Sequence, residues 1–193
     1  MISQPLIGVY KTVNDHDIGF GADDYQIAVY IANRPPIYEY QQLAQLTPLT
    51  TGEITYIGQH CGNGWRKVFN VYAKLLYALD KEQFDFSSLR STWQQYRDDY
   101  LLQTCSKTSL LFSAPNLTLE KNKPNKSIVH IIMGKTHAKS LLSTGALDVE
   151  FTWLDNEFAI NYSQRIIVCP YFDYRQLSNI KIERLAQLIK GLD

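Results

Sequence analysis

Apolar positions after residue 53 fall into short continuous runs that alternate with stretches of helical spacing. Val68, Tyr72, Leu75, Leu76 and Leu79 recur every three or four residues and predict an amphipathic helix over 65–79. Leu89, Trp93, Tyr96 and Tyr100 share one stripe and predict a second helix over 88–102. Ile182, Leu185, Ala186 and Ile189 predict a last helix, with Ser178 or Asn179 at its start and Gly191 at its end. The continuous runs are 54–57 before Gly58, 109–113, 128–133 before Gly134, and 165–169 before Pro170. Each reads as a buried strand, and a helix over 136–142, ended by Gly145, follows the third. Upstream, the β-branched and aromatic run 25–32 reads as a strand stopped by Arg34-Pro35-Pro36. The turn-forming stretch 116–125 reads as a surface loop.

Short apolar strands alternating with amphipathic helices predict an α/β fold. The expected architecture is one three-layer α/β/α domain over 1–193 with a central, mostly parallel sheet. Ligands of such sheets bind in the crevice beyond the carboxyl ends of the strands. The segments to inspect are therefore 58–64, 113–116, 134–137 and 169–175.

Composition narrows the function classes. The chain has 193 residues, 45% of them hydrophobic, which is enough to bury a core and too apolar for disorder. Nineteen Lys+Arg balance nineteen Asp+Glu, with no run of like charge, which argues against nucleic-acid binding by charge alone. The first residues, Met1-Ile2-Ser3-Gln4-Pro5, do not read as a signal peptide, and no apolar run is long enough to span a bilayer. A cytoplasmic protein without membrane contact is expected. Cys61, Cys105 and Cys169 form no C-x-x-C pair, and three cysteines fall short of the four an iron–sulfur cluster needs. The four histidines, His16, His60, His130 and His137, show no ligand spacing. No metal or cofactor is expected.

The four segments carry the candidate chemistry. Gly58-Gln59-His60-Cys61-Gly62-Asn63-Gly64 offers three glycines for close backbone approach and two reactive side chains, but neither a Walker nor a dinucleotide fingerprint. Ser113-Ala114-Pro115-Asn116 offers a hydroxyl and an amide that both donates and accepts. Gly134-Lys135-Thr136-His137 opens a helix whose free N–H groups suit an anion. Cys169-Pro170-Tyr171-Phe172-Asp173-Tyr174-Arg175 brings aromatics and a cation suited to stacking on bases.

In order and spacing these pieces resemble the uracil-DNA glycosylase superfamily. Gly58 to Asn63 is similar to that family's G-Q-D-P-Y-H-like loop, and Leu110-Leu111-Phe112-Ser113 to its L-L-L-N strand. Gly134-Lys135-Thr136-His137-Ala138 is similar to its G-x-x-A helix start, and Val168-Cys169-Pro170-Tyr171-Phe172 to its H-P-S-P loop. The resemblance covers 53–192 and leaves 1–52 unmatched. It implies a glycosylase-like fold with altered chemistry. His60 stands where the family has the Asp that serves the sugar cation. Ser113, with Asn116 nearby, stands where it has the Asn that reads the base. Cys169 stands where it has the His that stabilises the departing base. His60 and Cys169 are the catalytic candidates. Gly58, Gln59, Cys61, Gly62, Phe69, Ser113, Asn116 and Tyr171 are the ligand-binding candidates.

The function expected from this resemblance is a catalytically diverged glycosylase-like protein that binds a nucleobase, nucleotide or nucleic acid at the strand ends. If it is an enzyme, a DNA-glycosylase-type hydrolase is expected. The alternatives are an active glycosylase of altered specificity, a thiol hydrolase pairing Cys61 or Cys169 with His60 or His137, and an interaction module or homodimer built on a neutral, aromatic-rich surface.

Overall fold

A computed structural model of the chain describes residues 17–117 and 128–192. Its strands are β1 (Gly19–Gly21), β2 (Ile27–Tyr30), β3 (Leu46–Thr47), β4 (Thr108–Leu111), β5 (Val129–Met133), β6 (Thr152–Trp153), β7 (Ala159–Asn161) and β8 (Ile166–Cys169). Its helices are α1 (Tyr38–Gln41), α2 (Glu53–His60), α3 (Asn63–Ala78), α4 (Trp93–Asp99), α5 (Lys135–Ser143) and α6 (Asn179–Lys190). The strands form one mixed sheet in the order β3-β1-β4-β2-β5-β8-β7-β6. Its centre, β4-β2-β5-β8, is parallel throughout, with Val29 beside both Leu110 and Ile131, and Ile132 beside Val168.

Side chains of the central strands alternate between two covered faces, as the period of a strand requires. Ile27, Val29, Ile131, Met133, Ile167 and Cys169 pack on one side with the apolar stripes of α3 and α6. Ala28, Tyr30, Ile132, Ile166 and Val168 pack on the other with Ala138 and Leu141 of α5. The three-layer α/β/α arrangement follows from this double coverage. The α3 stripe predicted from Val68, Tyr72, Leu75 and Leu76 is buried, and the Tyr72 hydroxyl donates to the Ser109 carbonyl at 3.0 Å, tying α3 to β4.

The order of the central strands positions the site. In chain order they are β2, β4, β5 and β8, so the chain first steps from β2 to β4 and then crosses back to build β5 and β8 on the opposite side. The connections leaving β2 and β5 therefore diverge, which opens a crevice at their carboxyl ends. This central strand β2 comes from residues before 53, so the core is not confined to the part that carries the family resemblance.

Two expectations are corrected. Residues 54–57 are not a strand but part of α2. Ile54 and Ile57 are buried while Thr55 and Tyr56 face outward, the i, i+3 spacing of a short amphipathic helix rather than a continuous apolar strand. The turn before it is held by the Glu53 carboxylate, which accepts the Thr50 N–H and hydroxyl at 2.7 Å each and the Tyr40 hydroxyl at 2.8 Å. The second predicted helix is shorter than 88–102. A 3-10 turn occupies Asp85–Ser88, and α4 starts where Thr92 Oγ1 accepts the Gln95 N–H at 3.2 Å. Most of the expected loop at 116–125 lies outside the described residues.

Among the described residues no helix is long and apolar enough to cross a membrane.

Candidate functional site

Beyond the carboxyl ends of β2, β5 and β8 lies a cleft of about 560 Å³, within the size range of small-molecule sites. Ala32 and Asn33 reach it from β2, Gly134 to His137 from β5 and the start of α5, and Pro170 and Tyr171 from β8. Asn156 and Glu157, in the turn between β6 and β7, close one side. The cleft thus sits at the crevice that the strand order creates.

Gly134 makes the turn from β5 into α5. Its φ of +91° lies in the region that side chains avoid, and a Cβ there would meet nothing within 4 Å, so conformation rather than space selects glycine. Its N–H donates to the Cys169 carbonyl at 2.8 Å. The first intrahelical bond of α5 runs from the Ala138 N–H to the Gly134 carbonyl at 3.1 Å. The N–H groups of Lys135, Thr136 and His137 precede it and have no acceptor inside the helix.

The polar side chains of the cleft differ in freedom. Lys135 Nζ donates to the Asn156 carbonyl at 3.1 Å and sits over the Trp153 ring, 4.8 Å from its centroid. The Glu157 carboxylate is matched by Lys181 at 2.7 Å, and Lys181 also donates to the Gln176 carbonyl at 3.0 Å. Among the described residues, this leaves Lys135 as the charged side chain of the cleft without an ionic partner. Burial pushes the Tyr171 hydroxyl up, with Asp173 adding to the shift, so it remains a neutral phenol. Burial lowers the His137 pKa, which favours the neutral imidazole, and its enclosed Nε2 has no partner among the described residues. The Asn33 side chain is exposed.

The segment carrying Tyr171 is braced from behind. Lys67 of α3 pairs with Asp173 at 2.7 Å, with side chains only 11% and 20% exposed, and lies over the Tyr174 ring. Asp173 Oδ1 accepts the Arg175 N–H at 3.0 Å. The Lys67 ammonium, aided by that N–H, holds the Asp173 carboxyl below its usual range.

The residues singled out from sequence fall into separate places. Tyr171 lines the strand-end cleft. Cys169 ends β8 but points into the core, fully buried, with Sγ 3.3 Å from the Pro170 carbonyl; burial pushes its thiol far up, so it is neither a thiolate nor solvent-facing. His60 ends α2 on the surface, stacked on Tyr56 with its Nδ1–H donated to the Tyr56 carbonyl at 2.8 Å. Because 58–60 belong to a helix, the expected first strand-end loop does not exist. Gly58, Gln59, Gly62 and Phe69 instead line a different cleft between α2, α3 and α4. Cys61 is half-buried with its thiol raised by burial. The Ser113 hydroxyl accepts the Ile18 N–H at 3.2 Å, and Asn116 is half-buried near the end of the described segment.

Asn33 was missed because 54–57 took the place of the first parallel strand. The signal was present in the run 25–32 and its proline stop. Among the described residues no three His, Cys, Asp or Glu side chains gather as a metal site.

A family model described as a family of unknown function (DUF6942) matches residues 18–190. No curated protein and no solved structure matches the chain.

Proposed function

The chain belongs to this family of unknown function, DUF6942, and we propose that it binds a nucleobase-containing small molecule, a mononucleotide, in the strand-end cleft. The observation that carries this reading is the position of the cleft. It lies where β2 and β5 part, with the start of α5 on one side and Tyr171 on the other. Lys135 and the first N–H groups of α5 suit a phosphate. Tyr171 offers an aromatic face, and the Asn33 amide offers paired donor and acceptor atoms for a base edge. A volume of about 560 Å³ and, among the described residues, a single lysine without an ionic partner fit a mononucleotide better than a duplex, whose affinity comes from many phosphate contacts.

The resemblance to the uracil-DNA glycosylase superfamily supports a base-binding role through two of its pieces, the turn at Gly134 and the segment after β8. A diverged member of that superfamily is the finer form of the reading. Base excision is disfavoured, because a Cys169 thiol enclosed in the core stabilises no charge on a departing base.

Calorimetric titration at low salt with uracil, uridine, uridine and adenosine monophosphates and a short single-stranded oligodeoxynucleotide tests the proposal. A monophosphate is expected to bind, with Lys135→Gln and Tyr171→Ala each weakening it by about tenfold. Absence of saturable binding by every probe overturns the reading. Tighter, steeply salt-dependent binding of the oligonucleotide replaces the mononucleotide with nucleic acid. Release of free uracil from uracil-containing DNA would restore the active-glycosylase alternative.

A further inference from the structure

The cleft between α2, α3 and α4 has a volume of about 470 Å³ and shares no lining residue with the strand-end cleft. Ile54 and Phe69, both buried core residues, form its apolar floor. Gly62 contributes no side chain to the wall, and a Cβ there would meet nothing within 4 Å. Among the described residues no carboxylate lines it, whereas two arginines do.

The two arginines are not equivalent. Arg97 gives its Nε and Nη2 to the Asp98 carboxylate at 2.7 and 2.9 Å, and its Nη1 to Asn70 Oδ1 at 2.5 Å. Its charge is matched by Asp98, and three of its five N–H donors are taken. Among the described residues, Arg66 gives only its Nε, to Asn63 Oδ1 at 3.1 Å. That bond orients the guanidinium and leaves the Nη1 and Nη2 fork open. Asn70 keeps its amide N–H groups, since its oxygen is the atom taken by Arg97. Among the described residues the cleft therefore presents one oriented guanidinium without an ionic partner, and further donors, above an apolar floor.

We propose that this cleft binds a small organic carboxylate with an apolar body, the carboxylate held by the Arg66 fork and the body resting on Ile54 and Phe69. The planar fork matches a carboxylate through two parallel bonds. One net positive charge matches one negative charge, whereas a phosphate monoester carries between one and two. The proposal is independent of the strand-end cleft.

Two-dimensional NMR of the labelled full chain, titrated with benzoate, hexanoate, benzamide and phenyl phosphate, tests it. Benzoate or hexanoate is expected to give saturable amide shifts within 54–70 and not within 133–137, with a dissociation constant on the order of millimolar, as befits so few atoms. Benzamide, which has the same body without the charge, binds about tenfold or more weaker, and phenyl phosphate no tighter than benzoate. Arg66→Gln, at an exposed position, keeps the fold and loses about tenfold or more in carboxylate affinity. The proposal is overturned if neither carboxylate saturates, if the shifts fall elsewhere, if benzamide matches benzoate, or if Arg66→Gln binds unchanged. Should Arg66→Gln fail to fold, the wild-type comparison of benzoate with benzamide decides alone.

Discussion

The Lys67 ammonium and the Asp173 carboxylate meet at 2.7 Å across 106 positions of sequence, joining the second turn of the sheet-covering helix α3 to the segment that follows β8. Both side chains are mostly removed from water, so loss of either leaves the other without its counter-charge, Asp173 keeping only the Arg175 N–H. Replacing Lys67 with Met is expected to cost about 1–3 kcal/mol in urea denaturation, and to weaken ligand binding at Tyr171 through loosening of its segment. An unchanged midpoint together with unchanged affinity would show that the pair braces nothing.

Asp155 sets an acid limit on the hairpin beside the strand-end cleft. Its carboxylate accepts the Glu157 and Phe158 N–H groups at 2.7 and 2.8 Å and pairs with Arg184, which together lower its pKa to about 2. The unfolded carboxyl titrates at about 3.9, so the unfolded chain takes up the proton first. The contribution of Asp155 is complete above about pH 4 and is lost as pH falls toward about 2. Thermal melts at stepped pH should show a shallower acid decline for Asp155→Asn than for the wild type within that window.

Gly21 is expected to resist any substitution. Its φ is +128°, and a Cβ would stand 2.2 Å from the Thr108 carbonyl of β4. Gly21→Ala combines a strained backbone with a backbone clash and should lower stability by about 2 kcal/mol or more, read from chemical denaturation. Gly52→Ala, with a φ of +89° but open space, isolates the conformational part and should cost less.

The cysteines should separate by accessibility. Cys105 is exposed, Cys61 half-buried and Cys169 fully buried. A chromogenic disulfide reagent is expected to titrate Cys105 fast, Cys61 slowly and Cys169 only after denaturation. Rapid labelling of Cys169 in the native protein would contradict its place in the core and reopen the thiol chemistry considered from sequence.

The parts of the fold that pattern made legible are those where burial on both faces forces continuous apolar runs, as in Ile131-Ile132-Met133 and Ile166-Ile167-Val168, or where a long stripe repeats, as in Val68 to Leu76. Residues 54–57 were misread because four apolar and small residues fit a strand and a helical turn equally, and the deciding contacts of Glu53 with Thr50 and Tyr40 are tertiary and turn chemistry. That single exchange moved the whole first loop. It sent Gly58, Gln59, Gly62 and Phe69 to another cleft and hid Asn33 at the true end of the first parallel strand. The third and fourth strand ends, whose strands were read in place, supplied Gly134 to His137 and Tyr171. Short edge elements such as β3 and β6, two residues each, leave too little pattern to be seen.

Those two edge strands also govern how copies of this chain can meet. At either margin of the sheet, β3 and β6 offer an incoming strand only two residues of ladder, too few to repay the entropy of ordering it. Among the described residues, growth by strand addition is disfavoured at both margins of the sheet. Among the described residues, self-association through side chains of the helical layers is therefore favoured over pairing at the sheet margins.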